Sequence, residues 1–313
     1  MPRPQVAADR GPSDDRLYDL VEERVRRLVA NNPIFATAIG LHDHDDTLGD
    51  GSSATLLADL AADREHLAAI EALDPNGLSA TARFERDLEI HNVRREIFDT
   101  DELRIWERRS LALGTIGDGI FLLFARDHAP LAERLDAIAG RLEAVPRHLQ
   151  DARTRAARPQ VRLWQGLEIE SAAQLPSLFD EVVAAGRAAV DAPERRRLER
   201  ASEAAKVAVE GYTTWLETTL VDGTDDWALG REQHDALVAL RAFDGLDADE
   251  ILELGQQKLA EERAARAAVA REIDPHATEA DVIARVKADH PATFADALEG
   301  YRDSMARARA HLI

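Results

Sequence analysis

Residues 130–142, with the sequence PLAERLDAIAGRL, decide the fold class of this chain. Their large apolar side chains recur at intervals of four, three and four residues: Leu131, Leu135, Ile138 and Leu142. This is the spacing of one face of an α-helix. Pro130 suits the start of such a helix, because the first turn has N–H groups without intrahelical partners in any case. The stretch therefore predicts an amphipathic helix that buries its apolar face.

The same spacing recurs along most of the chain, with turn signals between the helical stretches. Ser13-Asp14-Asp15 supplies N-cap residue types for the first helix, and Asp247 caps a clear late helix. Pro146 is expected to start a new helix, and Pro176 is expected to interrupt or kink another. No alternating apolar and polar run is long enough for a strand. We therefore predict an all-α, multi-helix assembly of long antiparallel helices.

Length and composition bound the domain organisation. The chain has 313 residues, of which 45% are hydrophobic, so it can bury a large core. Residues 1–13 are rich in proline and glycine and predict a flexible N-terminal arm. Residues 14–313 are predicted to form a single helical domain.

Charge and cysteine content exclude several classes of function. A formal net charge of -20 is incompatible with generic binding to nucleic-acid phosphates and disfavours an anionic membrane surface. The absence of cysteine excludes disulfides, thiolate zinc sites and cysteine nucleophiles. No secretory leader and no apolar run of membrane-spanning length is present, so a cytoplasmic location is expected.

The loop at residues 42–46 is the best local candidate for a metal site. It places His42 and His44 beside Asp43, Asp45 and Asp46, and imidazole and carboxylate groups both bind zinc. Adjacent residues rarely converge on one ion without a ligand from elsewhere, so a hydrogen-bonded acidic loop is the favoured interpretation. The metal hypothesis needs a further imidazole or carboxylate from outside this loop.

Other motifs do not indicate a catalytic centre. No histidine is followed by glutamate and no two histidines stand four residues apart, so the His-Glu-x-x-His motif of zinc proteases is absent. The glycines at 114, 117 and 119 have the wrong order for a dinucleotide fingerprint and favour a bend that lets helices or backbone pack closely. His66, three residues after Asp63, is interpreted as a member of a structural pair.

Several stretches together resemble the DUF885 family of bacterial proteins. They are Asn32-Pro33, AIGLHD (38–43), DLEIHNVRRE (87–96), GDGIFLLFARD (117–127), PLAERL (130–135), AGRLEAVP (139–146) and ESAAQLP (170–176). Each motif is weak alone, and the set is specific. The likeness extends from about residue 15 to the end of the chain.

The resemblance implies a fold similar to helical zinc carboxypeptidases of the M32 and M3 type. It also implies a longer protein, whose zinc motif of the His-Glu-x-x-x-Gly-His-His kind lies in the C-terminal half. This chain is therefore expected to be the N-terminal portion, incomplete relative to the family. No catalytic or cofactor-binding residue of the family can be assigned to it, and zinc is expected only in the full-length protein.

The expected function is that of a helical scaffold in a zinc metallopeptidase-related protein, inactive on its own. Peptide is the expected substrate of the full-length protein, with neither nucleic acid nor membrane as a partner. Two alternatives remain open. One is a helical protein-binding or oligomerisation module, associating as a homodimer or through an exposed apolar face. The other is a metal-dependent enzyme that uses the loop of His42 and His44.

Overall fold

The computed structural model describes residues 11–241 and 245–312. Within them the regular structure is helical, and an isolated bridge between Val161 and Thr224 is the one β contact. The helices are α1 (Asp14–Asn31), α2 (Pro33–Ala38), α3 (Ser53–Glu71), α4 (Ala80–Phe98), α5 (Ala112–Ala125), α6 (Leu131–Arg153), α7 (Arg162–Ala172), α8 (Leu175–Ala189), α9 (Ala192–Thr219), α10 (Arg231–Arg241), α11 (Ala248–Ile273), α12 (Glu279–Ala288) and α13 (Phe294–Leu312). The predicted all-α class is confirmed.

The chain divides into two compact units, residues 1–241 and residues 242–313. Each is described by itself below. The single domain expected over residues 14–313 stays a prediction. Most of the predicted N-terminal arm, residues 1–10, lies outside the described residues.

The core of the first unit is built around α6 and α9, which pack along each other. The helix predicted from residues 130–142 buries its apolar face here, through Leu135, Ile138 and Leu142. α5 and α8 complete the same cluster, with Ile120 and Phe179 fully shielded from solvent. Burial of each such side chain stabilises the fold by roughly 1.5 to 3 kcal/mol.

The prediction is wrong at one of two prolines and holds at the other. Pro146 does not start a helix, because α6 continues through it to Arg153. Its ring removes one backbone hydrogen bond, but Val145 and Leu149 beside it are buried in the core, which holds the helix together across the defect. A new helix begins at Leu175 after α7 ends at Ala172, so Pro176 lies at the expected interruption. It lies in the first turn of α8, where proline is well tolerated.

Both ends of α5 are capped by charged residues from other helices. Its N-terminus has no side-chain cap of its own, but the Glu168 carboxylate accepts a hydrogen bond from the backbone N–H of Leu113 at 2.7 Å. At its C-terminus, Arg134 donates to the carbonyls of Leu123 and Phe124 at 3.1 and 2.7 Å. Each charge complements the helix dipole at its end. These contacts fix the most apolar helix of the chain against α6 and α7.

A smaller cluster joins α1, α3 and α4 around the buried side chain of Arg24. Its Nε donates to Asp63 at 3.0 Å and its Nη1 donates to Glu89 at 3.2 Å, and it also pairs with Glu96. His66 lies in a structural pair, as expected, but its ring contacts Glu89 of α4 at 2.9 Å. Burial opposes ionisation of Glu89, yet the hydrogen bond to His66 and the charge of Arg24 lower its pKa overall.

The second unit has few buried side chains among its described residues. Ala270 and Val282 are its buried apolar residues. α11 begins with a complete capping box between Asp247 and Glu250, so the helix is well formed at its start. Large apolar side chains of α11, α12 and α13 are nevertheless exposed: Ile251, Leu252, Leu254, Leu259, Val269, Ile273, Val286, Phe294, Leu298, Tyr301 and Met305.

Close packing by neighbouring residues explains two glycines. A Cβ at Gly119 would lie 2.5 Å from Ile34 Cδ1. A Cβ at Gly140 would lie 2.7 Å from the carbonyl oxygen of Asp46, which is backbone and cannot move alone. The expected role of the residue 114–119 glycines in close packing therefore holds at Gly119, inside a continuous α5.

Gly140→Ala should destabilise the protein by about 1 to 3 kcal/mol, because the new methyl group meets the backbone of the loop at residues 42–46. Gly166→Ala is the matched control. It lies inside α7, where an added Cβ would have no neighbour within 4 Å, so it should stabilise by about 0.5 to 1 kcal/mol. Urea unfolding of both variants measures the difference. Equal effects of the two substitutions would contradict the close packing at Gly140.

Candidate functional site

The guanidinium of Arg141 on α6 organises one candidate site. It is fully buried, and its Nε donates to the carbonyl of Thr47 at 3.1 Å. Its Nη1 donates to the carbonyl of Gly119 on α5 at 2.5 Å, and its Nη2 donates to Thr37 Oγ1 at 2.6 Å. Burial lowers the pKa of Arg141 to about 10, and the carboxylate of Asp45, 3.7 Å away, opposes that shift. The buried cation therefore connects α2, α5 and α6 with the loop that follows α2.

Asp45 connects this cation to two histidines. Its Oδ1 lies 2.6 Å from Thr37 Oγ1, and its Oδ2 lies 2.8 Å from Nδ1 of His42. His128, which follows α5, places Nε2 3.4 Å from the same Oδ2. The imidazole rings of His42 and His128 stack, with centroids 3.9 Å apart and planes 3° from parallel. The loop at residues 42–46 thus lies beside the imidazole of His128, which comes from a segment distant in sequence.

The residue types in this cluster suit a metal ion, but the present orientation of the two imidazole rings does not. One ligand atom each from His42, Asp45 and His128 lies within 4.8 Å of the others. A metal ion binds imidazole nitrogen close to the plane of the ring. Because the two rings are parallel and stacked, one ion cannot lie in both planes, and at least one ring would have to rotate. The arrangement as it stands is a carboxylate shared by two imidazoles.

The structure separates the two histidines that the sequence placed together. His42 belongs to the cluster, whereas His44 lines an apolar groove of about 820 Å³ between α1 and α4, together with Asp43. His128 was missed, because it lies far from His42 in sequence and no spacing pattern links them. The assignment of His42 and His44 as metal ligands stays a prediction.

A cleft of about 510 Å³ in the first unit is the second candidate site. This volume lies in the range of small-molecule sites, roughly 300 to 1,000 Å³. Its aromatic and apolar wall includes Phe35, Leu48, Trp106, Leu111, Tyr212 and Trp215. Its charged and polar lining includes Asn31, Asn32, Asp99, Arg109, Ser110, Asp118, His148, Arg155 and Gln160.

A buried hydrogen-bonded network supports one wall of this cleft. The hydroxyls of Tyr212 and Ser110 lie 2.9 Å apart, and Ser110 donates to Glu168 at 3.2 Å. Burial raises the pKa of Tyr212 to about 12 and also raises the pKa of Glu168 above its usual value. The tyrosine is therefore a neutral donor or acceptor at physiological pH, and the network positions it against the cleft.

Arg155, which lies just after the end of α6, differs from the buried and hydrogen-bonded arginines Arg24, Arg134 and Arg141. Its Nε is shielded from solvent and has no hydrogen-bond partner. Within the described residues its guanidinium forms no ion pair. Burial lowers its pKa, and burial likewise lowers the pKa of His148, which lies seven residues earlier in α6. The cleft therefore contains a cation without a protein counter-ion. No sequence motif pointed to it.

Comparison with known proteins gives a family and a fold. A family profile described as "Bacterial protein of unknown function (DUF885)" matches residues 33–313. No curated protein matches the chain. A solved structure described as "a putative lipoprotein of unknown function from Shewanella oneidensis" is similar in fold, with a TM-score of 0.70 and 17% sequence identity. The match covers 83% of this chain and 48% of that one, so this chain spans about half the length of that protein.

The helices of residues 11–241 and 245–312 bear on insertion into a membrane. Among these described residues, no helix combines the length and the apolar character needed to cross a bilayer. The expected cytoplasmic location stays a prediction.

Asp45→Asn should destabilise the protein by about 2 to 4 kcal/mol, because it removes the carboxylate charge that faces the buried Arg141. Asp46→Asn removes the same charge from an exposed neighbour and should cost less than about 1 kcal/mol. Denaturant unfolding at neutral pH measures both. If the two variants lose equal stability, Asp45 is not the structural counter-ion of Arg141.

Proposed function

The chain belongs to the DUF885 family, and we propose that it is a helical scaffold that contributes substrate-binding surface to a zinc metallopeptidase-related protein. In this proposal the chain binds substrate but does not hydrolyse it alone. Zinc and the catalytic residues belong to the remainder of a longer protein. The likeness to M32 and M3 carboxypeptidases comes from the sequence resemblance and is part of the proposal.

The cleft of about 510 Å³ is the observation that carries the proposal. Trp106, Tyr212 and Trp215 offer apolar and aromatic surface, and Arg155 offers a charged group in the same cleft. Sites for organic ligands commonly combine a mostly apolar wall with a few fixed polar groups. The network behind Tyr212 holds that wall in place before any ligand arrives. A preformed cleft of this composition favours binding of a small molecule or a peptide segment.

The second unit supports the idea of a larger assembly. Its three helices expose large apolar side chains, among them Leu252, Phe294 and Tyr301. Exposed apolar surface of this extent is typical of faces that pack against other protein. The same surface is compatible with the alternative of a protein-binding or oligomerisation module, including a homodimer. The oligomeric state in solution separates these two uses.

A metal-dependent activity at the histidine cluster is the second candidate function. The observation that favours it is the convergence of His42, Asp45 and His128, whose ligand atoms lie within 4.8 Å of one another. It requires rotation of at least one of the two stacked rings. Zinc titration of the protein and of His128→Ala, followed by calorimetry, tests it. Saturable binding that His128→Ala abolishes would support this candidate.

The purified chain should show no peptidase activity on a panel of unblocked and end-blocked peptides, with or without added zinc. The reason is that the His-Glu-x-x-His arrangement needed to activate water at zinc is absent from its sequence. Peptide cleavage followed by mass spectrometry, with metal content determined in parallel, checks this. Cleavage that a chelator inhibits and zinc restores would overturn the scaffold proposal.

A further inference from the structure

Arg155 presents a partly buried positive charge to the cleft without an internal counter-ion. Arginine is seldom buried unless it is paired, because removing the charge from water costs free energy that hydrogen bonds must offset. Its Nε is shielded from solvent and makes no hydrogen bond, and none of the described residues forms an ion pair with its guanidinium. An external anion would provide the missing acceptor.

The carboxylates near Arg155 are engaged elsewhere or exposed. Asp50 accepts hydrogen bonds from Ser52 N at 2.8 Å and Thr55 Oγ1 at 2.7 Å, so both of its oxygens already have donors. Asp99 accepts a hydrogen bond from Arg95 at 3.1 Å.

Among the charged groups that line the cleft, unpaired cations outnumber unpaired carboxylates. Arg109 is a second cation in the lining, and it has no ion pair within the part of the chain that the structure describes. Asp118 is an exposed carboxylate in the lining. His148 is buried, and its lowered pKa favours the neutral imidazole near neutral pH. Asp99 is already paired with Arg95, so the two guanidinium groups of the lining face one exposed carboxylate, that of Asp118.

We propose that this cleft binds an organic monocarboxylate with an aromatic or apolar body, and that Arg155 is the ion-pair partner of the carboxylate. This inference deepens the proposed function, on which it rests, by naming the class of substrate group that the cleft recognises. The planar guanidinium donates two parallel hydrogen bonds to a carboxylate. The body of the ligand packs against Trp106 and Trp215.

The lining favours a monocarboxylate over a multiply charged anion. A phosphate would bring close to two negative charges, and Asp118 would repel it in a protein whose formal net charge is -20. The aromatic wall offers such an ion few further donors, whereas it gives apolar contact to an organic ligand. A ligand with one carboxylate and one ring matches both the charged part and the aromatic part of the lining.

Hydrocinnamate, which joins one carboxylate to one aromatic ring, is the probe for this site. Its neutral amide, hydrocinnamamide, has nearly the same shape and is the matched control ligand. Binding to the full chain is followed by isothermal calorimetry and by tryptophan fluorescence, since Trp106 and Trp215 line the cleft. We expect the acid to bind at least about tenfold more tightly than the amide, because only the acid forms the ion pair.

Arg155→Gln tests the residue, and Arg147→Gln is its matched control. Arg147 lies on α6, pairs with Asp151 at 3.0 Å and is largely exposed, and its substitution changes the net charge equally. Arg155→Gln should weaken hydrocinnamate binding by about tenfold or more and remove the preference over the amide. Arg147→Gln should retain binding within about twofold, as expected for an exposed charge. Thermal unfolding of each variant confirms that it is folded.

Three results would overturn the proposal: no binding of hydrocinnamate, equal binding of the acid and the amide, or full binding by Arg155→Gln. These failures differ from a failure of the scaffold proposal. Chelator-sensitive peptide cleavage would refute the scaffold proposal even if Arg155 bound carboxylate. Absence of carboxylate binding would refute the role of Arg155 even if the chain had no peptidase activity.

Discussion

The buried guanidinium of Arg141 is the constraint on which much of the first unit depends. A fully buried cation is tolerated only when its donors are matched by acceptors, and here these come from α2, α5 and the loop before α3. The short approach to the Gly119 carbonyl brings α5 close to α6. Asp45 supplies the opposing charge and thereby also fixes His42. The stacked histidines are thus a consequence of satisfying one buried arginine.

The helices could be predicted from the sequence because their causes are local. Spacing such as that of Leu135, Ile138 and Leu142 and caps such as Asp247 act over a few residues. Pro146 was misread because its effect depends on tertiary packing. An isolated helix would break there, whereas the buried residues on either side of it outweigh one missing hydrogen bond.

The candidate sites were predictable only in part. His42 carried a compositional signal, but its partner His128 is brought close by α5 and α6, and nothing in the sequence joins the two. His44 lines the apolar groove instead and is not a member of the cluster of His42, Asp45 and His128. Arg155 carried no signal at all, since a free guanidinium is recognised by the absence of an acceptor in three dimensions.

The contrast among arginines argues that the cleft is a site and not a packing defect. Arg24, Arg134 and Arg141 each have carboxylate or carbonyl acceptors within hydrogen-bond distance. The protein carries 59 acidic residues against 39 basic ones, so a shortage of carboxylates cannot explain why Arg155 lacks one. An unpaired, partly buried charge lowers stability, and proteins retain such local costs chiefly where a site uses them. Arg155 lines a cleft with an aromatic wall, where a ligand can reach its unpaired charge.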